Sequence, residues 1–508
     1  MSHDPVDWSN VQGLVLSGYK RLRCAAYLLF RFTDPEPNRL SREWLWRLIQ
    51  RVINAEQGPR KGSSGPWVGD APIYAHNLAI LHALTRMELP RPEVWALNVA
   101  FTPTGLAALG VTAAELGRFA SEFQQGMAPA TTPRQSAHRR SNLLGDVGAS
   151  APEHWSWGGT GANREIDGVL LLYAANVASL NRLVETEIAS MRGVASVIEC
   201  RIAQAGPSVI PQGRVIRGNV GHFGFVDGIS QPVIEGTWQD DRLSRREKAL
   251  HSVPAGDFVL GYADARGARV RYDDRHDPRS RDLARNGTYL VARQLEQDVD
   301  GFDRFVEAAA RAVYGDSTPR SCAMVAAKLV GRRADGTPLV PPPVRQATKD
   351  EPGRNDFLYA REDADGLGCP LGAHVRRANP RDVMTDEPET ALRLSKMHRI
   401  LRRGRPYGLL KGALPAQRDT SAKGLFFICL NASIANQFEM VQHTWINNPA
   451  FMDLDGEIDP LSHAAAGTFT IQARPSNIRL RRDTPFVTVR GGAYFFMPGV
   501  NALRQLCA

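Results

Sequence analysis

Two rhythms of apolar and polar positions run along the chain. Residues 25–32, 94–101, 169–174 and 194–200 are short runs rich in aliphatic and aromatic side chains, the pattern of strands. Between them the apolar positions fall at helical spacing. In 41–54, Leu45, Leu48, Ile49, Val52 and Ile53 share one face of a predicted helix. Thr112-Ala113-Ala114-Glu115 is a capping-box pattern, predicting a helix that carries Leu116, Phe119 and Phe123. A further helix follows 174, with Leu180, Leu183, Val184 and Ile188 on one side. A polar stretch at 239–248, dense in Asp, Arg and Glu, reads as a boundary. The second half repeats the style. Strands are expected at 258–262, 289–292, 425–430 and 486–496, and helices at 302–313 and 434–446. A Pro-, Gly- and charge-rich segment at 331–370 has no periodicity, a length that in a compact enzyme usually has a functional reason. Each half reads as α+β, and the expected domains are 1–240 and 241–508.

Size and charge narrow the picture. A chain of 508 residues is too long for one core, so two domains are the default. The net charge of +9 is modest for this size but locally clustered, as at Arg399, Arg402, Arg403 and Arg405. Such a cluster is a solvated face, a nucleic-acid patch or a seat for an anionic ligand. No RNA-binding signature, zinc-finger spacing or basic heptad helix accompanies it, so nucleic acid is not expected as a partner. The six cysteines form no C-x-x-C pair and no C-x-x-C-H site for covalent haem attachment. They read as reduced thiols, and the acidic start, without an apolar leader, agrees with a cytoplasmic protein. No run approaches the length of a membrane span. The last residues, 501–508, carry no clear cargo tag for packaging into a shell.

Chemistry-bearing residues concentrate in three places. Gly224-Phe225-Val226-Asp227-Gly228 runs into Ile229-Ser230-Gln231-Pro232 and sets one carboxylate between two glycines in apolar company. It is either a tight turn or a site in which Asp227 is paired, hydrogen-bonded or perturbed. His374 sits in Gly372-Ala373-His374-Val375-Arg376-Arg377-Ala378-Asn379-Pro380-Arg381. It suits an axial metal ligand whose prosthetic group carries carboxylates, since guanidinium forks pair with these. Arg402 follows in Arg402-Arg403-Gly404-Arg405-Pro406-Tyr407-Gly408. No nucleophile elbow, dinucleotide fingerprint, Walker A or H-E-x-x-H motif is present.

These blocks, in this order, resemble the dye-decolourising peroxidases, haem proteins marked by a G-x-x-D-G motif, a later proximal His and a distal Arg. The likeness is dense in the second half, where it takes in 355–357, 424–427 and 487–496, and loose in the first. The resemblance implies two ferredoxin-like α+β domains, antiparallel sheets with helices packed on them, the first ending in the G-x-x-D-G motif. Haem b, bound non-covalently, would lie between sheet and helices, held mainly by the second domain. His374 would ligate the iron, with Glu439 as the candidate acceptor for its other ring nitrogen. Asp227 would shuttle a proton in peroxide cleavage, held ionised by Arg402, which also stabilises the leaving hydroxide and implies an acidic optimum. Arg403 is the nearest rival to Arg402. Gly228 and Ile229 would approach the porphyrin, Leu425 and Phe427 would wall the distal pocket, and Arg376 and Arg381 would meet the propionates. Tyr407 is the candidate for passing electrons to bulky dyes near the surface. The reading expects hydrogen peroxide and an aromatic reducing substrate such as a dye or phenol. The alternative is a haem carrier, store or sensor with incidental peroxidase activity. A third reading is a cofactor-free α+β protein whose arginines serve an anionic partner.

Overall fold

The computed structural model describes residues 5–52, 95–128, 140–160, 165–204, 208–209, 215–216, 220–269, 282–341, 354–408 and 422–507. Val94, Ile53, Asn54 and positions 342–353 of the irregular segment, all included in the expectations above, lie outside them.

The aliphatic runs of the first half form strands β1 (Cys24–Phe32), β2 (Trp95–Phe101), β3 (Gly168–Ala174) and β4 (Ala195–Gln204). Two helices cross over between them, α1 (Arg39–Ile49) and α2 (Val177–Ser190). Asparagine opens both helices. Asn38 accepts from Ser41 N and Asn176 from Ser179 N, each satisfying an amide that the first turn leaves without a partner. The strands pair antiparallel in the order β4-β1-β3-β2.

The second half repeats that order with β5 (Thr288–Gln297), the short pair β6 (Leu401–Arg402) and β7 (Arg405–Tyr407), β8 (Gly424–Asn431) and β9 (Val487–Met497). β6 and β7 pair with successive stretches of β8, β8 pairs with β5, and β5 with β9. Both halves are therefore ferredoxin-like sheets. Single pairings, Tyr407 with Ala203 and Phe496 with Phe101, join their edges and close the strands into a ring.

Alternation along the strands gives the ring two faces. Ala25, Tyr27, Leu29, Tyr173, Leu290, Ala292, Phe426, Ile428 and Phe495 fill its inside. Leu28, Phe30 and Phe32 point outward, onto Trp44, Leu45 and Leu48 of α1 and Leu180 and Leu183 of α2. Outside the second sheet, helices α3 (Val299–Tyr314) and α4 (Pro319–Val330) pack on each other and on the hairpin Gly467–Ile471 and Ile478–Arg482.

Three expectations change. Residues 258–262 are a buried turn, not a strand, because Phe258 N and Val259 N both bond back to Ala255 O. The capping box is present, but Gly117 ends that helix, and Phe123 rides on a separate short helix, Ser121–Gln125. The helix expected over 434–446 is a π-helix, Ala435–Glu439 and Val441–Ile446, in which Glu439 N bonds to Ile434 O and Asn447 N to Gln442 O, five residues back. The boundary stretch holds two short helices, Trp238–Asp241 and Arg245–His251. Among the described residues, no helix is long and apolar enough to cross a membrane.

Candidate active site

Strand register decides which arginine can serve the site. Arg402 pairs with Cys429 across β6 and β8, and Cys429 shares the outward face with Leu425 and Phe427. Arg402 therefore points outward. Arg403, one residue on, turns the other way and donates to Leu14 O and Val15 O, each at 2.7 Å. That rival is removed. The same alternation sends Arg405 and Tyr407 inward, where the Arg405 guanidinium lies over the Tyr173 ring and Tyr407 joins the inner core.

Arg402 Nη1 meets Asp227 Oδ1 at 2.8 Å. The same oxygen accepts from Gly228 N at 2.6 Å, so Oδ2 is left without a partner among the described residues. Both motif glycines adopt positive φ, 84° at Gly224 and 84° at Gly228, which any side chain would strain. A Cβ at Gly228 would touch no other part of the chain, which agrees with a backbone able to lie close to a flat ligand. Ile229 is half-buried beside it.

The rest of the motif fastens these groups together. Gln231 brackets the Arg402 backbone, donating to its carbonyl at 3.2 Å and accepting from its amide at 3.1 Å. Ser230 O accepts from Arg399 Nη2 at 3.2 Å, and Ser230 Oγ accepts from Asn379 Nδ2 at 3.4 Å. All three sequence blocks thus meet at Ile229-Ser230-Gln231.

His374 opens the short helix His374–Ala378. Its Nδ1 lies 2.9 Å from Asp459 Oδ2, leaving Nε2 as the nitrogen available to a metal. Burial works against the imidazolium, but the adjacent Asp459 charge and hydrogen bond outweigh it and raise the His374 pKa. Burial likewise opposes ionisation of Asp459, yet His374 and the Ser462 amide carry its pKa well below the usual carboxylate range. Arg402 and Asp227 both act electrostatically on His374, so the three groups share one neighbourhood.

Asp459 corrects the expectation for Glu439. The π-helix turns Glu439 away, to Arg140 and to Tyr494 Oη, which donates at 2.7 Å. No motif marked Asp459. It lies 85 residues from His374 in an Asp-Pro turn, where its Oδ1 accepts from Leu461 N and Ser462 N. A side chain that caps its own turn reads in sequence as nothing more.

Arg376 is a second correction. It is fully buried, donates to Asp363 O, Cys369 O and Ala364 O, and lies 4.4 Å from the Tyr359 ring centre. It serves the loop, not an anionic ligand. Arg381 is similarly engaged, by Asn355 O, Phe357 O, Asn355 Oδ1 and the Phe357 ring 3.9 Å away. Arg399 is a buried arginine whose one side-chain hydrogen bond among the described residues runs from Nη2 to Ser230 O. Burial and the like charges of Arg381 and Arg402 press its pKa down to about 9. His251, next to it, is pushed down to about 3 by burial and by Arg381 and Arg399, and its Nδ1 has no partner among the described residues. Buried positive charge left this uncompensated suits a ligand that brings carboxylates.

Leu425 and Phe427 complete one wall, both half-buried while Phe426 and Ile428 between and beyond them are fully buried. Tyr407 is the third correction. It is 2% exposed and cannot meet a bulky molecule at the surface. An imidazole with one nitrogen free, an ion-paired carboxylate with one oxygen free, a half-open apolar wall and an uncompensated cationic pocket together fit a haem.

Residues 273–471 match the model of the Dyp-type peroxidase C-terminal family. The chain is 31% identical over 436 residues to the multifunctional dye peroxidase DyP2 of Amycolatopsis sp., covering 81% of this chain and 82% of that one. It is 29% identical over 492 residues to a dye-decolorizing peroxidase of Mycena epipterygia, covering 87% and 82%. The solved structure of the DyP-type peroxidase of Anabaena sp. superposes with a TM-score of 0.71 over 98% of this chain and 94% of that one, at 22% identity.

Proposed function

The chain belongs to the dye-decolourising peroxidase family and is a peroxidase, and from that premise we propose that it binds haem b non-covalently through His374 and cleaves hydrogen peroxide with Asp227 and Arg402. The observation that carries this reading is the Arg402–Asp227 ion pair at 2.8 Å, on the outward face that also carries Leu425 and Phe427 and within electrostatic reach of His374. A protein that only carried haem would require the histidine and the carboxylate seat but not that pair.

The haem, when bound, supplies the iron that accepts oxidising equivalents from peroxide and passes them on singly to a dye or phenol. Asp459 fixes the His374 tautomer and strengthens its donation through Nε2. Arg399 and His251 are the candidate seat for the propionates, in place of Arg376 and Arg381. Gly228 and Ile229 would hold the porphyrin face, and Leu425 and Phe427 would restrict the pocket to small oxidants. Asp227 takes a proton from the inner oxygen of peroxide and returns it to the outer one. Its Oδ2 does this, because Oδ1 is held by Arg402 and Gly228. Arg402, positive throughout, stabilises the charge on the departing oxygen. The division into 1–240 and 241–508 is retained as a proposal, supported by the first sheet ending at Gln204 and the second beginning at Thr288. A cytoplasmic location is supported by the six free cysteines.

The test is reconstitution with haem. The native chain is expected to show a Soret band that responds to peroxide, and His374→Ala to lose that band or the activity. If His374→Ala kept both, the assignment would be wrong.

A further inference from the structure

The group that Glu439 does hold has chemistry of its own. Tyr494 is 1% exposed, and its hydroxyl donates to Glu439 Oε1 at 2.7 Å. Arg140 donates to the same oxygen and stands 5.9 Å from the Tyr494 ring centre. Glu439 is itself buried, at 6% exposure. On the other side, the Tyr494 ring packs edge-on against Phe438 with centres 6.2 Å apart, and Phe438 lies 6.2 Å from Phe427. A chain of ring contacts therefore joins the pocket wall to a phenol with a carboxylate on its proton.

That last feature separates Tyr494 from other buried tyrosines. Removing an electron from a phenol makes its O–H strongly acidic, and a buried cation is costly unless the proton has an acceptor. The hydroxyls of Tyr27, Tyr173 and Tyr407 are buried with no hydrogen-bonded carboxylate among the described residues, and Tyr19 donates to the Asn98 amide oxygen. Burial raises the Glu439 pKa despite the neighbouring Arg140, so a proton delivered there is retained well.

We propose that Tyr494 is a one-electron redox site of this peroxidase, with the Glu439 carboxylate as acceptor of its phenolic proton. The proposal rests on the peroxidase reading, since peroxide is the oxidant. Peroxide takes up two electrons and two protons to become two waters; Tyr494 would supply one electron through the Phe438–Phe427 ring contacts, the bound haem would supply the other, and solvent would supply the two protons. Its O–H bond breaks, the proton crosses the existing hydrogen bond to Glu439 Oε1, and a neutral phenoxyl is left. A reducing substrate later returns the electron, and the proton moves back. The site thus holds an oxidising equivalent away from the pocket while no substrate is bound.

The experiment uses haem-loaded protein labelled with ring-deuterated tyrosine, mixed with peroxide without a reducing substrate and freeze-quenched for electron paramagnetic resonance. The native protein is expected to give a radical signal that narrows on deuteration. Tyr494→Phe should lose it, Glu439→Gln should lower its yield several-fold, and Tyr407→Phe should leave it unchanged. The Soret band reports haem loading in each variant, and its response to peroxide tests the peroxidase reading separately. If the band responds but Tyr494→Phe keeps the native signal, or the native protein gives none, the proposal falls and the peroxidase reading stands. A native yield in Glu439→Gln would overturn the role of the carboxylate. If the native band does not respond to peroxide, both readings fall.

Discussion

The two sheets share one strand order, 4-1-3-2, and differ in what covers their outward faces. In the first, β1 and β3 are buried almost end to end, and α1 and α2 close over Leu28, Phe30 and Phe32. In the second, β8 alternates buried and half-buried positions at its start, and the outward side chains there are Leu425 and Phe427, with Arg402 beside Cys429 on β6. The cause is visible in the connections. α3 and α4 pack on each other and on a hairpin, so they leave the strands partly uncovered, and the second crossover is a π-helix. One copy of the topology is closed over by its helices, and the other keeps a partly open face, where the proposed chemistry would sit. Topology alone does not distinguish them, which is why function has to be argued from side chains.

The largest test of that contrast is a double dissociation. Asp227→Asn and Arg402→Leu are each expected to lower kcat/KM for peroxide by about 10²–10⁴-fold, as loss of a proton-transfer group or a charge stabiliser does. Both side chains are about a third exposed, at 34% and 31%, so their pairing contributes little to folding and the melting temperature should barely move. Phe30→Ala, on the scaffold sheet, should do the reverse. Phe30 is fully buried against Phe32, Trp44 and Phe101, so the variant should lose about 3–5 kcal/mol in denaturant titration and keep kcat/KM per folded molecule. Activity loss without destabilisation in Phe30→Ala would erase the distinction.

Buried carboxylates extend the comparison to pH. Asp167, in the first half, accepts from both Phe32 N and Thr104 Oγ1. Asp257, in the second half, accepts from Ala265 N, and burial together with the nearby Asp264 raises its pKa to about 7. A folded-state pKa above the unfolded value means the folded chain binds the extra proton, so stability is full near pH 4 and declines as pH rises towards 7. Asp257→Asn should therefore be more stable than the native protein at pH 8, by about 2–4 kcal/mol. The gain should vanish near pH 4. Urea titrations at both values check it, and an equal gain at both would show that charge is not the cause.

The proximal correction makes a smaller test. Asp459→Asn should weaken haem affinity about 10–100-fold, the usual effect of losing the acceptor behind a ligating histidine. Glu439→Gln should leave haem affinity unchanged, because Glu439 is bonded to Arg140 and Tyr494.

What sequence could and could not disclose follows from distance along the chain. Strands were legible because apolar runs and alternation are local, and β1, β2, β3, β8 and β9 lie within one residue of expectation, whereas β5 runs on to Gln297, past its expected end at 292. The same alternation, once pairing was known, separated Arg402 from Arg403. Asp227, His374 and Arg402, the residues proposed to act, stand in blocks of local motif. Asp459, Arg399 and His251 do not, since each acquires its proposed role from residues far away in sequence. Glu439 and Arg376 were misassigned for one reason: a charged residue near a motif looks available until its partners are known. Residues 258–262 show the local limit, since an apolar run folds as well into a buried turn as into a strand.

The smallest expected effect concerns the inside of the ring. If chemistry is confined to the outward face of the second sheet, Tyr407, which faces inward, should be inert. Its hydroxyl is buried, with the Gln294 side chain as its polar neighbour, and burial lifts its pKa to about 12. Gln294 Oε1 also accepts from Trp157 Nε1, so Tyr407→Phe should keep stability within about 1 kcal/mol. Turnover of a bulky dye and of a small phenol should both match the native protein. A selective loss on the dye would mean that oxidising equivalents cross the sheet into the ring, through the column in which Trp157 and Tyr27 stack on Phe426. The inner face would then be part of the active machinery, and the division between scaffold and site would run through the core of the ring instead of between its two sheets.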